Sequence, residues 1–360
     1  MMRRPASPRR QRGVAIVTAL LLTTLAVTIV ASLFWQQQVQ VRSMENQRLQ
    51  LQTRWIVRGA LDYARLILRQ DGADRGNRTT LDGVWTTPLA ETRLDQYIER
   101  ERVEQENFNA TIAGRITDAE SRYNLANLAS GRQVSAENVL LFQRLLSNLR
   151  LDTSLAQRTA EEVARSQKVL APPAQGPQGQ SPSSGGNSGA GSASGTASGS
   201  GTGTGSGSGP ASQPQVSSDG RGEPMELQRV EDLLAVSGFT PQAVERLRDF
   251  VIVLPQGTPL NVNTVPAEVL SALVSNLSLS EAESMVNVRK RASYLDINDF
   301  TSKLGGRPVS PAVQAAVRSD NFLVLSQVKL DRATLDTQAL IHREPASGNF
   351  RTTVVWIRDN

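Results

Sequence analysis

The sequence contains no cysteine and only one histidine, His342. The absence of cysteine excludes disulfides, thiol nucleophiles and zinc sites built on thiolates. A single histidine leaves almost no material for a histidine-rich metal centre or a histidine proton relay. The G-x-S-x-G, H-E-x-x-H and Walker motifs of common hydrolases and nucleotide-binding enzymes are also missing. We therefore predict that the protein is not an enzyme.

Acidic residues are missing from the first thirteen positions, which contain five arginines: Arg3, Arg4, Arg9, Arg10 and Arg12. The whole chain has 39 basic and 34 acidic residues, so these five arginines account for the net charge of +5. The rest of the chain is electrically balanced, whereas a duplex-binding protein usually keeps a basic excess. The charge distribution therefore argues against nucleic acid as a partner.

Charge is also missing from the 22 residues Val14–Trp35. As an α-helix this segment would rise about 33 Å, which is enough to cross the bilayer core of about 30 Å. No proline follows before Gln70, and large residues recur near helical spacing at Met44, Leu49, Trp55, Tyr63 and Ile67. We predict a membrane helix that continues as an amphipathic helix. The arginines would keep its N-terminus in the cytoplasm.

The sequence "RQRG" followed by "VAIVTALLL" resembles the leader of type IV pilins and type II secretion pseudopilins. In that family a prepilin peptidase removes the basic leader after the glycine and the new N-terminus is methylated. The resemblance implies cleavage between Gly13 and Val14 and methylation of Val14. An uncleaved signal anchor is the alternative. Most members have glutamate at the fifth mature position, where this chain has Thr18, and its absence is typical of the general secretion pathway protein K (GspK) family.

A glycine- and serine-rich tract runs from Ala171 to Gly222. Its G-x-G-like spacings lack the preceding strand and the following helix that a phosphate-binding loop requires. We predict that this tract is a disordered linker within a helical region.

The segment Thr258–Phe300 resembles helix-hairpin-helix DNA-binding modules, which also begin with an N-x-N-T motif. Those modules hold phosphate on a glycine-containing hairpin, but this chain has no glycine between Thr258 and Lys303. We therefore predict the scaffold without the phosphate cradle, resting on Leu270, Leu273, Val286 and Phe300. The sequences "PLNVNT" and "SRYNLANL" also resemble two signatures of the GspK family, with Ala126 in place of an asparagine in the second.

Asn261, Asn263 and Thr264 belong to the N-x-N-T motif. We interpret them as side chains that cap the following helix and fix its turn, with ligand binding as the alternative. The basic run Arg289–Arg291 is interpreted as a solvated helix end, with a nucleic-acid patch as the alternative.

Alternating residues predict one or two strands within Val103–Asp118 and a three-stranded antiparallel meander within Asp320–Asn360, with His342 at a strand surface or edge. The resemblance implies an α/β (α+β) fold in which a long N-terminal helix packs on an antiparallel sheet, as in pilins. A large helical domain, SAM-like or helix-hairpin-helix-like, would be inserted in that sheet. The predicted segments are a leader (1–13), a membrane span (14–35), the pilin-like core (36–120 and 320–360) and the insertion (121–319), with the linker at 171–222.

The resemblance implies a minor pseudopilin that caps the pseudopilus of a type II secretion system and helps to start its assembly. Its expected partners are the I, J and H types of minor pseudopilin, the major pseudopilin, prepilin peptidase and the bacterial inner membrane, with the globular part in the periplasm. Members of the family can bind calcium in the insertion, but no EF-hand loop is present and motifs assign no ligands. The alternative function is a membrane-anchored, helix-hairpin-helix DNA-binding protein of a DNA-uptake system.

Overall fold

The computed structural model describes residues 12–94, 109–167, 225–346 and 349–359. The predicted linker and residues 1–11 of the predicted leader lie outside these ranges. The helices are α1 (Arg12–Arg75), α2 (Ala136–Asn148), α3 (Ser154–Ser166), α4 (Pro241–Leu247), α5 (Ala267–Leu273), α6 (Leu279–Arg289) and α7 (Ile297–Ser302).

Five long strands form an antiparallel sheet in the order β1-β2-β9-β10-β11. The remaining strands have two residues each and pair outside this sheet. The strands are β1 (Leu89–Arg93), β2 (Ala110–Asp118), β3 (Tyr123–Asn124), β4 (Ala129–Ser130), β5 (Gln133–Val134), β6 (Val251–Ile252), β7 (Leu260–Asn261), β8 (Ala315–Ala316), β9 (Asn321–Leu330), β10 (Ala333–Ala346) and β11 (Asn349–Asp359).

Helix α1 is continuous over 64 residues, so the predicted membrane segment and the predicted amphipathic segment form one helix. The most apolar 18-residue window has a mean hydropathy of 2.4, and none of it is buried within the chain. By length and composition α1 can therefore cross a membrane. The helix ends where Gly76 adopts a positive φ of 62° and donates its N–H to the carbonyl of Gly72 at 2.9 Å, as is common at helix C-termini.

The second half of α1 packs on the sheet. Val57, Leu61, Ala64 and Leu68 are buried at intervals of four, three and four residues, which places them on one helix face. Their core cluster includes inward-facing residues of β2, β9 and β10: Ile112, Phe322, Val324, Val328, Ala339 and Ile341. The predicted long helix on an antiparallel sheet is thus confirmed, and β9, β10 and β11 form the predicted C-terminal meander.

The described residues fold into two compact units. The first consists of residues 12–94, 109–124, 249–252, 257–346 and 349–359, and the second of residues 125–167, 225–248 and 253–256. The first unit holds α1, the sheet and α5–α7. The division therefore does not follow the predicted insertion at 121–319, because residues 257–319 group with the sheet through buried polar contacts described below. The limits of the insertion stay a prediction.

The second unit contains α2, α3 and α4. Ser135 caps α2 as its side chain accepts a hydrogen bond from the N–H of Asn138. Each helix buries one apolar face: Val139, Phe142, Leu145 and Leu146 on α2, Leu155, Ala156, Ala160 and Val163 on α3, and Ala243, Val244 and Leu247 on α4. The amphipathic patterns of α2, α3 and α4 thus agree with the helices expected from the sequence.

Candidate functional site: the membrane helix and a buried polar junction

Thr18 lies on the unburied apolar part of α1. Its hydroxyl donates to the carbonyl of Ala15, one turn earlier, at 3.0 Å. Thr18 therefore carries a neutral group that is hydrogen-bonded within its own helix. Gly13 and Val14 belong to the start of α1. Their side chains lie outside the described part, so processing at this bond stays a prediction.

Asn261 is completely buried at the end of β7. Its side-chain amide donates to the carbonyl of Thr79 at 3.1 Å, to Asp118 Oδ2 at 3.2 Å and to Ser319 Oγ at 2.7 Å. Its Oδ1 accepts from the N–H of Asn263 at 2.9 Å, which closes a local turn. One amide thus joins segments that are far apart in sequence.

Asn263 fixes a different part of the same unit. Its Nδ2 donates to the carbonyl of Tyr294 at 3.0 Å, and its Oδ1 accepts from the N–H of Tyr294 at 2.8 Å. The Tyr294 ring packs edge-on against Phe300 of α7, with centroids 5.1 Å apart. The side chain of Asn263 therefore satisfies both backbone groups of a buried residue and locks the approach to α7.

The predicted turn is present, but the predicted helix cap is wrong. The N-cap of α5 is Pro266, with no side-chain cap hydrogen bond. The side chains of Asn261, Asn263 and Thr264 instead form buried hydrogen bonds with groups from distant segments of the chain.

Asp118, at the end of β2, is the shared acceptor of these contacts. Its Oδ2 accepts from the hydroxyls of Thr264 at 2.6 Å and Ser319 at 2.5 Å, besides Asn261, and its Oδ1 accepts from the N–H of Glu120 at 2.8 Å. Burial raises the pKa of Asp118, and these four hydrogen bonds oppose that rise. We call the set Thr79, Asp118, Asn261, Thr264 and Ser319 the polar junction.

Arg343 extends the polar junction to the end of α1. This fully buried guanidinium donates to the carbonyl of Leu68 and to Asp71 Oδ2, both at 3.0 Å, and to Thr79 Oγ1 at 2.9 Å. It also donates to the carbonyl of Ser319 at 3.1 Å. Despite this ion pair, burial leaves the pKa of Asp71 raised. The end of α1, β10 and the segment just before β9 are thereby held together.

The basic run at the end of α6 is not uniformly solvated. Arg289 is 5% exposed, donates to the carbonyl of Val262 at 2.7 Å and also donates to the carbonyl of Val265. Burial lowers the pKa of Arg289 to about 10. The prediction of a solvated helix end is therefore wrong for Arg289 and right for Lys290 and Arg291, which are exposed. Through these two hydrogen bonds Arg289 stabilises the turn of the N-x-N-T motif.

The hairpin before α6 differs from a phosphate-binding hairpin. Ser278 and Glu281 form a capping box at the start of α6. The hydrogen bonds from Ser278 and from Arg307 hold the pKa of Glu281 down to about 2, so this carboxylate is ionised at neutral pH. A negative charge thus occupies the helix N-terminus at which an anion would bind.

Two further predictions concern the same unit. Leu270, Leu273 and Phe300 are fully buried, whereas Val286 is only partly buried. His342 is half-buried within β10, which is an inner strand of the sheet. Its Nδ1 lies 3.1 Å from Asn321 Oδ1.

In the described ranges no three acidic or histidine side chains lie together as a metal site.

Sequence reasoning found the motif but missed its partners. Asp118, Ser319 and Arg343 are single polar residues without a local pattern, and the residues they contact are far from them in sequence. The one available signal was the acidic pair Asp118 and Glu120 directly before "SRYNLANL", where a strand ends. Of the predicted site residues, the structure brings Asn261, Asn263 and Thr264 together. Thr18 is not among them, because it lies in the apolar part of α1.

Comparison with known proteins agrees with these features. Residues 260–319, which include the N-x-N-T motif and Ser319, match the family model described as "Type II secretion system (T2SS), protein K". The chain is 27% identical to type II secretion system protein K of Pseudomonas aeruginosa over 89% of this chain and 86% of that protein. It is 24% identical to the protein of the same name in Pectobacterium carotovorum, over 92% and 93% of the two chains.

The fold matches a solved structure, a chain from the GspK-GspI-GspJ complex of the enterotoxigenic Escherichia coli type 2 secretion system. The TM-score is 0.58 at 17% sequence identity, over 89% of this chain and 99% of that chain. This similarity shows that the two chains share a fold. Together with the sequence matches, it shows that the chain is similar to proteins named type II secretion system protein K.

Proposed function

We propose that the chain is a minor pseudopilin of a type II secretion system that caps the tip of the pseudopilus and helps to start its assembly for protein export across the outer membrane. The observation that carries this proposal is Thr18. It stands on an apolar helix with no burial in its most apolar window, at the position where most pilin-like subunits have glutamate.

The physical argument concerns the cost of charge in lipid. A carboxylate in the bilayer is expensive unless a cation neutralises it. In pilin-like subunits the glutamate pairs with the terminal amine of the subunit that was added before. The hydroxyl of Thr18 uses the carbonyl of Ala15 instead and needs no such amine. A subunit of this kind can enter the filament first and remain at its end.

We further propose that α1 anchors the chain in the bacterial inner membrane as a single span. The arginine-rich residues before Val14 support a cytoplasmic N-terminus, with the part after Trp35, here called the head, in the periplasm. Prepilin peptidase would cut between Gly13 and Val14, and Val14 would then be methylated. Cleavage on the cytoplasmic side keeps α1 in the mature protein.

The proposed partners are the I, J and H types of minor pseudopilin and the major pseudopilin. The match to a complex that contains GspI and GspJ supports the first two types. The exposed face of α1 beyond the membrane segment supports assembly through this helix, because Met44, Leu51, Trp55 and Leu66 are each more than half exposed and lie opposite the buried stripe.

Nucleic acid is not among the proposed partners. The carboxylate of Glu281 at the start of α6 would repel phosphate, and the guanidinium of Arg289 is already used by two backbone carbonyls. A titration of the chain with duplex DNA at low salt checks this choice. Micromolar or tighter binding with a steep salt dependence would favour a DNA-uptake protein instead.

The tip assignment is tested by mixing the head with the heads of I-type and J-type pseudopilins from the same system. We expect one copy of this head in each complex, measured by sedimentation. Self-association of the head into long oligomers, or no association with either partner, would contradict the proposal.

Variants of Thr18 test the role of the missing charge in secretion by a strain that lacks the gene. Thr18→Ser keeps the hydroxyl and is the matched control, so it should secrete like the unaltered protein. Thr18→Glu should reduce secretion or leave it without gain, because the added carboxylate would lie in lipid without a partner. Increased secretion with Thr18→Glu would refute the electrostatic argument.

A further inference from the structure

Glu120 is a buried carboxylate with an unusual division of partners. It is 1% exposed and lies in the short 3-10 turn Ala119–Ser121 after β2. Its Oε1 accepts from the N–H groups of Asp320 and Asn321, both at 2.9 Å, and from Asn321 Nδ2 at 2.7 Å. Its Oε2 is buried and has no hydrogen-bond partner within the described part of the chain. One oxygen is thus saturated with donors and the other faces none.

Asp118 lies two residues earlier and has the opposite character. It accepts four hydrogen bonds, one from a backbone N–H and three from Asn261, Thr264 and Ser319. Burial still raises the pKa of Asp118, but these hydrogen bonds favour its ionised form, whereas Glu120 has donors on one oxygen only. The two carboxylates together hold the point where the chain leaves the sheet after β2 and the point where it returns at β9. Asp118 binds the side chain of Ser319, and Glu120 binds the next two backbone N–H groups.

A second negative charge at this place has no counter-ion of its own. The arginines around the pair form ion pairs with other carboxylates: Arg318 with Asp320 at 2.9 Å, Arg122 with Asp249 at 3.7 Å and Arg343 with Asp71 at 3.0 Å. Arg122 also interacts electrostatically with Asp118, but none of these arginines forms an ion pair with Glu120 in the described part of the chain. His342 reaches Glu120 only through the amide of Asn321. Like charges that share a buried site cannot both ionise cheaply.

The neutral acid fits the hydrogen-bond pattern of Glu120. A proton on Oε2 leaves Oε1 as a carbonyl oxygen that can accept the three donors. Burial, followed by the negative charge of Asp118, raises the pKa of Glu120 from 4.5 to about 8. In the folded chain this carboxyl group therefore carries its proton at neutral pH.

We propose that Asp118 and Glu120 form a proton-dependent clamp, in which one shared negative charge and one proton hold the start of β9 to the end of β2. Opening of the clamp exposes Glu120 to water and releases the proton. The clamp is therefore tightest in mildly acidic solution and loosens as the pH rises. The clamp is pH-sensitive and lies where the chain leaves the sheet after β2 and returns to it at β9. It does not depend on the proposed function.

The sign and range follow from linkage. The open state loses the proton near the ordinary pKa of 4.5, whereas the closed state keeps it up to about pH 8. Opening should therefore become about tenfold more frequent for each pH unit between these values and level off above the upper one. For a group whose pKa is lower in the closed state than in the open state, opening would become less frequent as the pH rises.

Hydrogen exchange of the Asp320 and Asn321 amides in the full chain in detergent micelles tests the clamp. Protection factors, which correct for the intrinsic pH dependence of exchange, should fall about tenfold per pH unit from pH 6 to pH 8. Glu120→Gln removes the titrating group but keeps an oxygen acceptor, so its protection should stay constant over this range. Glu283→Gln, on the exposed face of α6, is the matched control and should behave like the unaltered chain.

A direct titration covers the case in which Glu120→Gln fails to fold. The side-chain carboxyl carbon of Glu120, followed by NMR in the unaltered chain, should shift with a midpoint above pH 7. A midpoint below pH 6 would overturn the proposal. Equal slopes of protection for the unaltered chain and a folded Glu120→Gln variant would overturn it as well.

Discussion

Replacement of Asn261 by alanine should be among the most damaging single changes in the first compact unit. The amide is completely buried and satisfies the carbonyl of Thr79 and the N–H of Asn263, besides donating to Asp118 and Ser319. Truncation leaves at least two buried backbone groups without these partners, and each costs about 1–3 kcal/mol. We therefore expect a loss of about 2–6 kcal/mol in the free energy of unfolding, a large share of the stability of an ordinary domain.

Urea unfolding followed by tryptophan fluorescence measures this loss. Trp85 is 2% exposed and packs edge-on against Phe322, with centroids 5.5 Å apart, so its emission reports the core of the same unit. Asn298→Ala is the matched control, because Asn298 is exposed on α7 and should change stability by less than about 0.5 kcal/mol. A loss below about 1 kcal/mol for Asn261→Ala would refute the view that this amide supports the polar junction.

Three further changes have defined outcomes. Gly13→Phe should block removal of the leader by prepilin peptidase, because that site in the family accepts only a small residue; a mature chain beginning at Val14 in the intact mass would contradict this. Deletion of residues 175–209 should leave the melting temperature nearly unchanged, since loop-closure entropy varies slowly with length and the tract has little apolar surface, and a drop of many degrees would show otherwise. Glu281, whose folded pKa is about 2 against an ordinary 4.5, stabilises α6 fully above pH 4.5 and loses this effect as the pH falls towards 2. Exchange protection of α6 should fall over that acid range in the unaltered chain, whereas Glu281→Gln should show weaker protection at neutral pH and a flatter profile.

The elements with a strong repeating pattern were predictable from the sequence. The uncharged run Val14–Trp35 and the helical spacing of large residues after it predict α1. Alternating residues in about the last forty positions predict β9, β10 and β11. These signals are local, since they depend only on the period of a helix or a strand. The N-x-N-T motif was also visible, because two asparagines and a threonine so close together favour a turn.

The partners of that motif were not predictable, for a physical reason. Asp118 at the end of β2 contacts Asn261 in β7, and no local pattern encodes a contact across 143 residues. Arg289 shows the same limit. Three adjacent basic residues indicate a solvated surface, but the helix turns the first of them inward, where Val262 and Val265 supply carbonyl acceptors.

The position of this chain in the assembled filament tests the central claim most directly. A single-cysteine label is available without interference, because the chain contains no cysteine of its own, and Asn298 offers an exposed site for it on α7. Gold-labelled chains can then be counted and located on individual pseudopili by electron microscopy. A tip subunit gives one gold particle per filament, at one end. Particles repeated along the shaft, in numbers near those of the major pseudopilin, would contradict the account.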